Sequence, residues 1–151
     1  MDFAIQKSTE LGVATITPLY TQYSEVRFKQ ADRVDKKLNH WRKIAVSAAE
    51  QSGRLTVPVI QQPMAIAQWL ESADSNLKLI LTPEGSTRFA ELADSVSCDL
   101  LIGSEGGFSP EEVKLSKQSN FIEVTMGQRV MRTETAPIAA LAILQYRFGD
   151  I

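Results

Sequence analysis

The sequence predicts an α/β domain with a mostly parallel sheet flanked by helices, and three observations predict it. From Leu77 onward, short apolar runs alternate with helical patterns. A helix between successive strands is the connection that parallel pairing requires. Two Gly-bearing segments, around Gly103 and Gly127, each follow a strand and lead into a helix. In open α/β sheets that is where ligands sit, beyond the carboxyl ends of the strands.

Residues 2–11 have a helical pattern, with Phe3, Ile5 and Leu11 apolar and Gly12 as a stop. A β-rich stretch follows from Thr15 to Leu19. Asp32 caps a long helix whose stripe is Val34, Leu38, Trp41, Ala45 and Ala48, and Gly53 ends it. Val57 to Ile60 reads as a strand, and Pro63 opens a short helix through Ala67 and Leu70. Strands are then expected over 77–81, 100–102 and 121–124, with helices over 88–93, 110–118 and 135–148. The last helix carries Ile138-Ala139-Ala140-Leu141-Ala142-Ile143-Leu144, apolar on every side, so burial all round is expected. A second subunit is the simplest cover for its outer side, which predicts a homodimer.

At 151 residues, 44% hydrophobic and 23% charged, the chain fits one ordinary globular domain with a real core. No apolar run reaches the roughly 20 residues of a membrane span. The first residues lack the basic and apolar stretches of a secretory signal. Cys98 and His40 are each the only residue of their type. No intramolecular disulfide can form, a reducing cytoplasm is expected, and no metal site is. Residues 27–54 hold eight basic side chains against three acidic ones, although the whole chain carries a net charge of −2. Taken alone, that pattern suits a solvated helix face better than a nucleic-acid surface.

The segment Gly103-Ser104-Glu105-Gly106-Gly107 has neither the P-loop lysine nor the Rossmann glycine spacing. Ser109-Pro110-Glu111-Glu112 behind it is a helix start with a capping box. The glycines serve either the turn before that cap or a ligand. Glu105, a carboxylate among them, favours a ligand that offers hydroxyls or amines. In Arg129-Val130-Met131-Arg132-Thr133-Glu134-Thr135, Thr133 or Thr135 can cap the last helix, with Pro137 in its first turn. Capping does not explain Arg129 and Arg132, because cations oppose the macrodipole at a helix N-terminus. An anionic or carbonyl-rich partner does.

Four segments in order, Asp2–Val13, Ala48–Arg54, Gly103–Ser109 and Arg129–Ala136, resemble the RsmE family across essentially the whole chain. These are bacterial small-subunit ribosomal RNA uridine N3-methyltransferases of the SPOUT class, which use S-adenosylmethionine. Ser104 stands where the family usually has Pro, and Met126 and Met131 where Leu is common. The resemblance implies a C-terminal trefoil knot, a fold that general chain-path rules would reject. It also implies an N-terminal PUA-like β-barrel ahead of this domain, so the chain is expected to be the C-terminal part of a longer protein.

The cofactor pocket that the resemblance implies is built from three loops. The first holds Leu81, Thr82 and Pro83. The second holds Ile102, Gly103, Glu105, Gly106 and Gly107, with Glu105 on a ribose hydroxyl or the amino group. The third holds Met126, Gly127, Arg129, Val130 and Met131. Arg132 is then expected to stabilise negative charge on the uridine carbonyls, and either Glu134 or a water to accept the N3 proton. Arg27, Arg33, Lys37, Arg42 and Arg54 are the expected phosphate contacts. A non-catalytic RNA- or ribosome-binding domain is the competing class, and a generic nucleotide-binding domain ranks below it for want of a phosphate-loop lysine.

Overall fold

The computed structural model of the chain describes residues 1–24 and 31–151. Arg27 lies outside the described residues. In the N-terminal half, α1 (Asp2–Glu10) precedes two short strands, β1 (Thr15–Ile16) and β2 (Leu19–Tyr20). The long helix α2 (Ala31–Ser52) follows, then β3 (Val59–Ile60), β4 (Met64–Ala65) and α3 (Ile66–Ser72). Helices α1 and α2 pack around Ile5, Leu38, Trp41, Ala45 and Ile60. The helical stripe read from sequence is therefore core. Asp32 sits inside the first turn of α2 rather than capping it, where its charge still suits the positive end of the macrodipole.

Strand β1 runs parallel to β3, and β2 to β4. Pro18 lies between the two pairs and has no N–H to donate, but its carbonyl accepts from Met64 at 3.1 Å. Pro63 does not open the short helix. Pairing with Leu19 and Tyr20 holds Met64 and Ala65 extended, so α3 starts only at Ile66.

The C-terminal half forms the main sheet from β5 (Leu77–Leu81), β6 (Thr87–Arg88), β7 (Cys98–Ile102) and β8 (Ile122–Thr125). Its order is β6-β8-β5-β7 and every pairing is parallel. The helices α4 (Pro110–Gln118) and α5 (Thr135–Phe148) match the sequence expectation at both ends. Alternation along β5 explains the layering. Leu77 and Leu79 join Phe89, Leu92, Val124, Ala140 and Leu144 on the α5 side. Ile80 joins Ile66, Leu70, Leu101 and Phe121 on the side of α3 and α4.

Two expectations change here. The helix expected over 88–93 is one 3-10 turn, Phe89–Glu91, because Thr87 and Arg88 pair with Val124 and Thr125 and stay extended. Helix α5 is not buried all round within one chain. It buries Ala136, Ala140 and Leu144, while Ile138, Leu141, Ala142 and Ile143 stay partly exposed.

Helix α1 ends on carbonyls that need partners, as every helix does. Arg54 Nη1 donates to the carbonyls of Thr9 at 2.7 Å and Val13 at 3.0 Å, and Nη2 to that of Gly12 at 3.4 Å. Gln145 Nε2 on α5 donates to the Leu11 carbonyl at 2.7 Å. One arginine and one glutamine thus tie α1 to the chain that follows α2 and to the last helix.

Candidate functional site

Leu81, at the end of β5, pairs with Ile102 on one side and Val124 on the other. The carboxyl ends of three adjacent strands are therefore level, and the three predicted loops leave the sheet from one edge. The loop after β5 is pinned to β8. Thr82 N–H donates to the Val124 carbonyl at 3.0 Å, and Gly85 N–H closes a turn onto the Thr82 carbonyl at 3.3 Å. Thr82 is buried, and its hydroxyl points towards Glu123 Oε1 at 3.5 Å. The other Glu123 oxygen pairs with Lys117 at 2.5 Å. Pro83 lies exposed on the outer side of the turn.

The second loop folds back on itself. Gly107 N–H donates to the Ser104 carbonyl at 2.9 Å, and a Cβ on Gly103 would fall 3.0 Å from Gly107 Cα. Gly107 has φ +71°, a backbone that other residues rarely adopt. Glu105 and Gly106 project into solvent at the tip. Behind the loop, the Ser109 hydroxyl accepts from Glu112 N–H at 3.2 Å while Glu112 Oε2 accepts from Ser109 N–H at 2.9 Å, which is the expected capping box. Sequence reasoning stopped there. The other Glu112 oxygen accepts from Gln22 N–H at 2.7 Å, a bond across ninety residues that no local pattern signals.

In the third loop, Met126 packs on the α5 side of the core, Gly127 has φ +93°, and Gln128, Arg129 and Val130 are exposed. Among the described residues, no hydrogen bond reaches the peptide groups of 128–131. Helix α5 starts without the side-chain cap expected from Thr133 or Thr135. Its N-cap is Glu134, and the Arg132 carbonyl takes the N–H groups of Thr135 and Ala136, both at 2.9 Å. The Arg132 side chain is 87% exposed, and Nη1 lies 4.0 Å from Glu134 Oε1. So the backbone of Arg132 builds the helix start, while its guanidinium lies in solvent beside the Glu134 carboxylate.

The basic residues of α2 are placed differently. Arg33, Lys37 and Arg42 are exposed on its outer side, and among the described residues none bonds to the strand-end loops. The Arg54 guanidinium is taken up by the carbonyls at the end of α1, where it acts as a structural clamp. Burial, with the Asp99 charge adding to it, pushes the Cys98 thiol up to about 12, which makes it a poor nucleophile. Among the described residues no three His, Cys, Asp or Glu side chains come together as metal ligands. No described helix is long and apolar enough to cross a membrane.

With this geometry in place, comparison with known proteins decides the family. A family described as RNA methyltransferase domain matches residues 1–145. The chain belongs to that family. A ribosomal RNA small subunit methyltransferase E from Buchnera aphidicola of Schizaphis graminum is 43% identical over 153 residues, covering 100% of this chain and 62% of that protein. A methyltransferase from Legionella pneumophila, solved in complex with the cofactor SAM, superposes with TM-score 0.96 at 41% identity over 100% of this chain and 62% of that one. A ribosomal RNA small subunit methyltransferase E from Neisseria gonorrhoeae bound to S-adenosyl methionine gives 0.91 at 36% identity, over 98% and 61%. The chain thus spans about three fifths of the length of these relatives.

Proposed function

We propose that this RNA methyltransferase domain transfers a methyl group from S-adenosylmethionine to N3 of a uridine in small-subunit ribosomal RNA. The observation that carries the proposal is the level edge where Leu81, Ile102 and Val124 deliver three loops to one place. Relatives of the same family, similar over the whole of this chain, are solved with that cofactor bound.

The loops fit the group. The peptide groups of 128–131 are not engaged by other described residues, Glu105 is an exposed carboxylate, and Gly103 and Gly107 let main chain approach without side chains between. Main-chain groups of Leu81, Ile102, Gly103, Met126 and Met131 would hold the adenine and ribose, with Glu105 on a ribose hydroxyl or the amino group. When bound, S-adenosylmethionine supplies an electrophilic methyl group on a sulfonium centre.

The chain's own residues handle the uridine. N3 carries a proton at neutral pH, and its removal places negative charge on the flanking carbonyl oxygens. The exposed Arg132 guanidinium meets that charge, an electrostatic role of the oxyanion-hole type. The Glu134 carboxylate beside it accepts the proton. Arg33, Lys37 and Arg42 contact RNA phosphates from α2.

Two further parts of the proposal rest on topology and exposure. Strand β8 lies between β5 and β6, which residues 82–86 alone connect, so the chain leaving β8 must pass that short connection. This supports a trefoil knot in the C-terminal half. The partly exposed Ile138, Leu141 and Ile143 on α5 support a homodimer through that helix. A cytoplasmic location suits the free thiol of Cys98.

Calorimetric titration of the purified chain with S-adenosylmethionine and its demethylated product tests the proposal. Binding at one site per chain or per dimer is expected. A folded chain that binds neither compound would refute the pocket and favour the non-catalytic RNA-binding alternative.

A further inference from the structure

The turn at residues 21–24 is docked by one contact onto the first turn of α4 and by two onto the glycine loop. Gln22 N–H donates to the buried Glu112 carboxylate at 2.7 Å. The Ser104 hydroxyl donates to the Tyr23 carbonyl at 3.2 Å. A Cβ on Gly106 would fall 2.7 Å from Tyr23 Cβ and 3.4 Å from Cγ, so Gly106 leaves the room in which Tyr23 lies. The turn is also locked internally, since Ser24 Oγ accepts from Thr21 N–H at 2.8 Å and shares a hydrogen bond with Thr21 Oγ1 at 2.7 Å. Despite this fixing of its backbone, Tyr23 keeps 44% of its surface in solvent.

Capping does not explain the second oxygen of Glu112, and a place in the cofactor pocket does not explain why Gly106 abuts Tyr23. Both make sense if the ring of Tyr23 must stand at a fixed place beside the glycine loop. A rigidly seated, half-exposed aromatic ring at the rim of a polar site is what an unstacked nucleobase needs, because proteins that read single-stranded RNA stack its bases on such rings. We infer that Tyr23 is a stacking platform for an unpaired base of the RNA substrate, and that Glu112 is the positioning residue that holds it over the glycine loop. This inference rests on the RNA methyltransferase function proposed above.

The test titrates the full chain with a fluorescently labelled, uridine-rich single-stranded RNA, and separately with S-adenosylmethionine. Tyr23→Leu keeps apolar bulk against Gly106 but removes the ring. It is expected to weaken RNA binding about tenfold while cofactor affinity stays within about twofold. Tyr23→Phe is expected to bind RNA like the wild type, since the hydroxyl is not the stacking surface. Glu112→Gln retains one acceptor oxygen for the helix cap but turns an amide N–H₂ on a second donor. Faster amide exchange at Gln22, with α4 still protected, should accompany a loss of RNA affinity that Glu112→Ala does not exceed by much.

Equal RNA affinity for wild type and Tyr23→Leu would overturn the platform, as would a Phe variant as weak as Leu or a wild type that binds no RNA. In each of these cases retained cofactor binding leaves the methyltransferase proposal standing. Loss of cofactor binding by the wild type is the separate result that would remove it. A freed Gln22 amide without any loss of RNA affinity would remove Glu112 from its positioning role.

Discussion

Gly85 lies against the backbone of Val124 so closely that a Cβ there would fall 2.6 Å from both the carbonyl carbon and the oxygen. The obstacle is main chain in a central strand, which cannot swing aside as a side chain could. The contact presses the connection between β5 and β6 onto β8, the strand that separates them. Gly85→Ala is therefore expected to cost about 1–3 kcal/mol, the usual penalty for overpacking. Chemical denaturation measures it, and a variant as stable as the wild type would show that the connection can lift off β8.

Arg132→Ala should leave the fold intact, because the interaction that starts α5 uses the Arg132 carbonyl and not its side chain. If the guanidinium meets charge on the uridine carbonyls, turnover should fall by about 10²–10³. Cofactor affinity should stay within a few-fold. Single-turnover methylation of ribosomal RNA beside a cofactor titration reads both, and normal methylation by the variant removes Arg132 from the mechanism.

Arg54 gives the opposite expectation for an arginine read from sequence as an RNA contact. Its guanidinium serves three backbone carbonyls at the end of α1. Arg54→Ala should destabilise the chain by about 1.5–3 kcal/mol. Lysine should rescue poorly, since its single ammonium lacks the planar fork. The salt dependence of RNA binding should not change, whereas Arg42→Ala or Lys37→Ala should each flatten it. A flatter salt dependence in a stable Arg54→Ala variant would restore the phosphate role.

Asp2 predicts a pH dependence. Its carboxylate accepts from His40 Nε2 at 2.7 Å and from Trp41 Nε1 at 3.1 Å, linking the start of α1 to α2. The His40 hydrogen bond holds this carboxyl below the ordinary value of 3.8, partly opposed by desolvation and helped by Trp41. A carboxyl depressed in the folded state contributes stability above its unfolded value, and that contribution is lost as pH falls through the folded value. The group is half exposed, so the effect should be below about 1 kcal/mol. Asp2→Asn should be less stable than the wild type at about pH 6 and indistinguishable from it at about pH 2. Equal stability at both would show that the linkage contributes nothing.

Much of the main sheet was legible because its signals are local. The boundaries of β5, α4 and α5 follow from apolar runs and from Ser109 and Pro110 at a helix start. Local signals failed where tertiary pairing overrode them. Pro63 reads as a helix start, but Leu19 and Tyr20 hold the next residues extended. Arg88 reads as helical, but pairing with Thr125 makes it the end of a strand. The same division runs through the site. The glycines, Arg132 and Glu134 carry a pattern that sequence displays. Tyr23 and the second role of Glu112 depend on contacts across some eighty to ninety residues, which have no periodicity to betray them.

By itself the sequence determined the α/β class, the strand-end position of both glycine loops and the residue types available for chemistry. Those depend on side-chain period and backbone preference, which act within a few residues. Only the tertiary structure decided which groups are free to act. Arg132 and Arg54 are alike in sequence as cations near helix ends. One keeps its guanidinium in solvent beside Glu134, and the other has given its donors to carbonyls at the end of a distant helix. Hydrogen-bond partners are assigned by packing, and packing is a property of the whole chain.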